Sequence, residues 1–236
     1  MLKSKSCPLS CLLDLKKSID SMEDFRNISQ ETFDKIISIT HVKEYPRDTI
    51  LYYEDDPMDS IHFLLHGCVK IYKINKFDNE VIINIYANSC INQGNPPLIN
   101  YQALISKYSY NNIFCLKNCR ILSINSESFK EMIKEDINLS LNMLDRANKL
   151  IEDQENIINI NMIYDAKAKL ASILSKRPNI FNDLNKKFIS QMLNISQETL
   201  SRNIQKLKDE NIIGLDINKH LVVINENKLN SILKAE

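Results

Sequence analysis

From Ser126 to Asn161 the chain contains neither proline nor glycine. Within and just beyond that stretch, apolar residues recur at Ile137, Leu141, Leu144, Ile151, Ile158 and Met162. The spacing is close to multiples of 3.5. It predicts a short helix followed by a long one with a coiled-coil-like seam. Leu141, Leu144, Ile151 and Ile158 are the candidate dimer interface. Asn148 and Glu155 interrupt the seam and leave its register and stoichiometry open. The plainer alternative is a long helix packed only on its own domain. Whatever covers it, such a helix divides the chain into what comes before and what comes after.

Before it, residues 1–40 are polar with scattered apolar positions and read as short helices. Asn27-Ile28-Ser29-Gln30-Glu31-Thr32-Phe33 offers a cap, with Phe33, Ile36 and Ile37 at helical spacing. From Val42 to Ile124 the pattern becomes one of strands. Ile61-His62-Phe63-Leu64-Leu65 and Val69-Lys70-Ile71-Tyr72-Lys73 are expected to flank a turn at Gly67. Val81–Tyr86 follows a hairpin signal at Asp78-Asn79-Glu80, and Cys119–Ile124 reads as a last strand. Many short strands separated by turns predict a small antiparallel barrel or roll.

After it, Pro178-Asn179 should break a helix, and two short helices and a two-stranded wing follow. The wing strands are expected at Ile212–Asp216 and His220–Ile224. Asn185 can cap a helix running through Leu193. Asn194-Ile195 then makes a tight turn, and Ser196 caps the next helix. Asn suits the left-handed backbone of such a turn. Leu200, Ile204 and Leu207 should face a core shared with Ile189, Met192 and Leu193. The opposite stripe is Gln197, Glu198, Ser201, Arg202, Gln205 and Lys208.

That stripe carries the chemistry base edges require. Arg202 can fork onto the two acceptors of guanine, and Glu198 can accept from cytosine. Ser201 and Gln197 adapt to either role. All four lie in the half of the helix that enters a major groove. Lys186, Lys187, Lys206 and Lys208 would hold phosphates without reading sequence. The formal net charge of zero hides an asymmetry that fits. Residues 164–236 carry twelve Lys and Arg against eight Asp and Glu, a net of +4, and the remainder carries −4. A basic C-terminal segment behind an acidic one suits a DNA-binding module attached to something else.

Here the sequence resembles the cyclic-AMP receptor and fumarate-nitrate regulator (CRP/FNR) superfamily. The carrying segment is Ile189–Ile213, with Ser196-Gln197-Glu198-Thr199-Leu200-Ser201-Arg202 at its centre. Upstream, Ile50–Asp59 and Phe63–Tyr72 resemble the family's effector-domain strands. The resemblance covers roughly residues 25–230. It implies an α+β architecture in three parts. These are an N-terminal segment with an antiparallel, cupin- or jelly-roll-like effector β-roll (1–125), a dimerisation-helix region (126–163) and a winged helix-turn-helix (164–236). Glu198, Ser201 and Arg202 match the family's base-reading positions in the fumarate-nitrate arrangement. That implies a two-fold site on double-stranded DNA with TTGA-like half-sites, read by a homodimer. RNA polymerase would be a further partner if the protein activates. Turn positions that the family usually fills with Gly are Asp48, Asp55, Asn79, Asn88 and Asn194 here. Only three Gly are present in the chain.

The signal is harder to read. The family's cyclic-nucleotide cassette needs a Gly-Glu pair and then an Arg-Ser pair. The corresponding stretch here is Cys90–Pro97, and later Ser109-Tyr110. No Arg lies between Arg47 and Arg120. Lys107 is a point charge and a poor substitute for the Arg fork, so cyclic AMP is not expected. Cys7 and Cys11 form one C-x₃-C, and Cys115 and Cys119 another. Four thiolates could bind an iron–sulfur cluster or zinc. Within the resemblance, Cys119 matches the oxygen-sensing branch's last cluster ligand, but that branch's N-terminal C-x₂-C-x₅-C is absent. Haem is a third candidate, with His41, His62, His66 or a Cys as axial ligands. The plain alternative is ordinary thiols and imidazoles. A redox, gas (nitric oxide included) or small-molecule signal fits these residues.

No Walker loop, dinucleotide glycine motif, paired metal-ligand His motif or nucleophile elbow is present, so an enzyme is not expected. The competing class is a ligand-binding or scaffold protein whose C-terminal domain merely packs. No run of eighteen apolar residues and no secretory h-region follow Met1, so a cytoplasmic protein without a membrane partner is expected.

Overall fold

The computed structural model describes residues 9–88, 95–176, 180–217 and 220–234. The chain forms two compact units, residues 1–149 and 150–236.

The first unit opens with α1 (Leu9–Asp20), a single 3₁₀ turn at Glu23–Phe25 and α2 (Gln30–Ser38). Ser29 caps α2, its hydroxyl accepting from the Thr32 N–H at 3.1 Å. The strands β1 (Thr40–Tyr45), β2 (Ile50–Tyr52), β3 (Ser60–Ile74), β4 (Glu80–Asn88), β5 (Asn112–Cys115) and β6 (Cys119–Asn125) follow. All their pairings are antiparallel, in the order β1-β6-β3-β5-β2, with β4 also on β3. The sheet curls into a half-barrel, as the strand pattern predicts.

β3 does not turn at Gly67. It runs as one strand of 15 residues. Its first half pairs with β6, and from Gly67 onward it pairs with β4, with β5 joining from Val69. Gly67 at φ 108 and a register shift between Leu64 and His66 bend the strand from one layer into the other. The glycine marks a close approach rather than a reversal. A Cβ there would lie 2.5 Å from the Asn118 carbonyl oxygen and 2.8 Å from the Cys119 sulfur.

Alternation along the strands separates two cores. Ile61, Phe63, Leu122 and Ile124 face the helices, where Phe25, Ile36 and Phe129 complete a cluster. Phe25 meets Phe63 and Phe129 edge to face, at 6.1 and 6.2 Å between centroids. Leu64, Val69, Ile71, Ile113 and Ile121 face the interior of the roll. The continuous apolar run Ile61–Leu65 thus reflects burial on both faces.

α3 (Ser126–Glu135) and α4 (Ile137–Met162) come next. The boundary between the two units falls inside α4. Within the first unit α4 is held by polar side chains one turn apart. Asn138 donates to the Asn27 carbonyl at 2.8 Å, and Asn142 to the carbonyls of Asp24 and Arg26 at 3.1 and 2.8 Å. Arg146 forks onto the Asp24 carboxylate, and Lys149 pairs with Glu23 at 2.8 Å.

The second unit contains α5 (Ala166–Lys176), α6 (Ile180–Asp183), α7 (Lys186–Met192), α8 (Gln197–Asp209), the two-stranded sheet β7 (Ile213–Leu215) with β8 (Leu221–Val223), and α9 (Glu226–Lys234). α5 packs on α8 and α9. The expected break at Pro178-Asn179 lies outside the described residues. The wing strands are shorter than the apolar pattern suggested.

Of the turn positions expected to replace glycine, Asp48, Asp55 and Asn194 do adopt positive φ, at 65, 68 and 51°. Asn79 and Asn88 do not. At the hairpin the left-handed residue is Asp78, φ 58°, and Asn88 is an ordinary strand residue opposite Gly67. Asn75 Oδ1 closes that hairpin by accepting from the N–H groups of Phe77 and Asn79.

Candidate nucleic-acid interface

Three local devices position α8. Asn185 Oδ1 accepts from the Phe188 N–H at 3.1 Å and starts α7. Asn194 turns the chain left-handed, and the Ile195 N–H returns to the Ser190 carbonyl at 3.0 Å. Ser196 Oγ accepts from the Thr199 N–H at 3.0 Å and starts α8. Two helices are thereby joined by a turn too short to drift.

On α8, Leu200, Ile204 and Leu207 are buried, together with Ile189 and Leu193, while Met192 is half-buried. Asn203 joins them on the inner face and donates to the Thr199 carbonyl at 2.9 Å. Nothing in an amphipathic pattern singles out that buried amide, whose partner lies on its own helix. Gln197, Glu198, Ser201, Arg202, Gln205 and Lys206 are exposed, as are Lys186 and Lys187, and Lys208 is half-buried. Gln205 is tied to Asp209 at 2.7 Å. Glu198 and Arg202 make no ion pair among the described residues, so both heads are unspent. The second unit thus brings Glu198, Ser201 and Arg202 onto one exposed face and sets lysines around it. Such a face can donate two parallel hydrogen bonds from Arg202 and accept one at Glu198.

The candidate dimer residues stand out of their own chain. Leu141, Leu144, Ile151 and Ile158 are 52, 57, 56 and 53% exposed, and Ile137 and Met162 more so. α4 therefore carries a second apolar stripe besides the one it buries. In the first unit Leu139 and Met143 enter the core beside inward-bonded polar side chains, while Ile137, Leu141 and Leu144 face outward.

Around the expected effector site, residues 89–94 lie outside the described residues, and with them most of the cassette Cys90–Pro97. Ser109 is fully buried, and its hydroxyl is spent on the Asn111 carbonyl at 2.7 Å. Tyr110 and Lys107 are exposed.

The four-cysteine set is assembled only in its second half. Cys7 lies outside the described residues, and the Cys11 side chain is not described. Cys115 and Cys119 are buried thiols in hydrogen-bond contact, with Cys68 beside them. The bond that Cys115 donates lowers Cys119 to about 7. The same bond, then burial, holds Cys115 above the usual thiol range. When protonated, Cys119 can donate to the carbonyls of Cys68 and Lys117 at 3.4 and 3.2 Å. No cluster of three or more His, Cys, Asp or Glu arranged to hold a metal occurs among the described residues.

His62 is committed elsewhere. Its Nε2 shares a 2.8 Å hydrogen bond with the Tyr52 hydroxyl and its Nδ1 another with Ser123 Oγ. Burial, then His41, lowers it to about 4, and burial first among several causes raises Tyr52 to about 12. With both ring nitrogens occupied, His62 does not fit an axial haem ligand. This triad was invisible in the sequence, because its members sit on three strands. His41 and His66 are exposed.

Residues 42–136 match the family model of the cyclic nucleotide-binding domain. Residues 168–232 match the Crp-like helix-turn-helix domain. The chain belongs to the CRP/FNR family of transcription regulators. As a CRP/FNR-type protein it is a DNA-binding regulator, and members of this family dimerise. The fold agrees with solved structures of low identity. FixK2 from Bradyrhizobium japonicum is 14% identical with a TM-score of 0.69, covering 82% of this chain and 97% of that one. A CooA mutant from Carboxydothermus hydrogenoformans is 19% identical with a TM-score of 0.67, covering 99% and 98%. No curated protein sequence matches significantly. No described helix is long and apolar enough to cross a membrane.

Proposed function

We propose that this CRP/FNR regulator binds, as a homodimer, a two-fold operator with TTGA-like half-sites. Arg202, Glu198 and Ser201 read bases in the major groove, and Gln197 assists. Lys186, Lys187, Lys206 and Lys208 contact phosphates. The homodimer forms along Leu141, Leu144, Ile151 and Ile158. The division of labour is an effector roll over 1–125, a dimerisation region over 126–163 and a DNA reader over 164–236. The effector roll answers a redox, gas or small-molecule signal, nitric oxide among the candidates, and RNA polymerase is the further partner at activated promoters.

The observation that supports this reading is the exposed face of α8. Ser196 caps the helix, Glu198, Ser201 and Arg202 are exposed on it, and among the described residues Glu198 and Arg202 have no ion pair to break before they meet a base. The test is a footprint and a titration on a duplex with two TTGA-like half-sites, against the same duplex scrambled. Arg202→Ala should lose most of the discrimination, at about 1–3 kcal/mol per half-site. An Arg202→Ala protein that discriminates as well as the parent would overturn the assignment.

A further inference from the structure

We infer that Cys115 and Cys119 are a reversible dithiol–disulfide site inside the effector roll, oxidised by small hydroperoxides. Its chemistry concerns the roll alone and holds whether or not α8 reads DNA. Only its consequence for operator binding rests on the function proposed above.

The geometry is that of a pair already assembled. Cys115 ends β5 opposite Val69 of β3, and Cys119 begins β6 opposite Tyr45 of β1. Three residues separate them, and both are buried in one cluster, the Cys119 sulfur lying on the Cys68 carbonyl that the Leu116 N–H also meets. The connection is pinned on both sides. The Leu116 N–H donates to the Cys68 carbonyl at 2.8 Å, the Asp48 N–H to the Cys115 carbonyl at 2.8 Å, and the Arg47 N–H to Asn118 Oδ1 at 2.8 Å. The space for the Cys119 sulfur exists because residue 67 has no Cβ, which would come within 2.8 Å of it. A disulfide needs its sulfurs about 2.05 Å apart.

Access selects the oxidant. Cys115 is fully buried and Cys119 is 2% exposed, beneath a connection whose Asn118 is exposed. Such burial favours an oxidant as small as a two-oxygen molecule over a bulky alkylating reagent. The Cys119 sulfur attacks one peroxide oxygen. The O–O bond breaks, and the leaving hydroxide takes up the Cys119 proton as water. This leaves a sulfenic acid on Cys119. The Cys115 sulfur then attacks the Cys119 sulfur, the S–S bond forms and the S–O bond breaks. The departing hydroxide takes the Cys115 proton as a second water. Two thiols are oxidised and one peroxide is reduced to two waters. A dithiol reductant reverses the step by exchange.

The test uses the full-length reduced protein exposed to hydrogen peroxide, alkylated in urea and digested with trypsin without reduction. Cleavage after Lys107, Lys117 and Arg120 separates the two cysteines onto Tyr108–Lys117 and Asn118–Arg120. The expected result is that these two peptides become covalently linked as the major oxidised species and separate again after dithiothreitol. Cys68→Ser should leave the linkage unchanged. Cys115→Ser should instead accumulate a Cys119 sulfenic acid, trapped by dimedone added with urea once the peroxide is quenched. A maleimide–polyethylene glycol reagent should leave both thiols unlabelled until urea unfolds the chain. Recovery of both peptides separately alkylated after peroxide, or a major linkage of either cysteine to Cys68, would overturn the assignment. Linked peptides with unchanged operator binding would confirm the site and refute only its coupling to DNA.

Discussion

Arg146 and Asp24, separated by 122 positions in the sequence, form a forked ion pair that is 11 and 2% exposed. Arg146 Nε donates to Oδ1 at 2.7 Å and Nη2 donates to Oδ2, with a further bond from Nη2 to the Pro96 carbonyl at 3.1 Å. The pair fastens the first half of α4 to the N-terminal segment and to Pro96, near the end of the expected effector cassette. Replacing one member leaves a buried charge unpaired, which costs about 3–5 kcal/mol. Asp24→Asn and Arg146→Ala should each lower the urea midpoint of the first unit. The double variant should cost less than the sum of the two, and strict additivity would show that the pair is not coupled.

The buried imidazole predicts an acid-side weakness. In the unfolded chain His62 takes a proton near its ordinary 6.5, whereas in the folded roll it holds out to about 4. Below 6.5 the unfolded state therefore binds more protons, and stability falls as pH drops from 6.5 to 4. His62→Gln removes that proton uptake, so its unfolding free energy should change less with pH over this window. Equal slopes for parent and variant in urea titrations at stepped pH would remove His62 from the account.

The outward seam of α4 predicts a separation of folding from assembly. Leu144→Glu removes apolar area that is 57% exposed within its own chain, so the folded monomer should be nearly unaffected. In a homodimer the change occurs twice, against about 1.5–3 kcal/mol for each buried leucine. Sedimentation equilibrium should show the dimer weakened about a hundredfold or more, with operator affinity falling in step. A stable Leu144→Glu dimer would place the interface elsewhere.

Phosphate-holding and base-reading residues should fail differently. Lys187→Gln should weaken binding to all duplexes alike and reduce the slope of log affinity against log salt by about 1 for each phosphate left without its lysine. Arg202→Ala should instead narrow the gap between operator and scrambled DNA. Titrations at several salt concentrations separate the two.

Gly67 should tolerate no side chain. Alanine would face both a left-handed backbone and the Asn118 carbonyl oxygen at 2.5 Å. Gly67→Ala should destabilise the roll by about 3 kcal/mol, read as a drop in its melting temperature.

What the sequence by itself determined is local. Ser196, Asn194 and Asn185 announce their capping and turn roles because each acts on backbone within three or four residues. The period of the apolar positions identifies α4 and α8, and the residue types on the outer face of α8 state their chemistry. Tertiary structure decided whatever depends on distant residues meeting. The apolar run through Gly67 reads as two strands and a turn, yet it is one bent strand, because the Asn118–Cys119 backbone needs the space a side chain would take. His62 looks like a free ligand until Tyr52 and Ser123 arrive from other strands and occupy both nitrogens. Cys115 and Cys119 are close in sequence, but it is the folding of β5 and β6 onto β3, with the gap left at Gly67, that buries both thiols in one cluster. Arg146 carries no sign in the sequence that its partner is Asp24. Local propensities act within a turn of helix, whereas burial and pairing are set by contacts that only the closed fold creates.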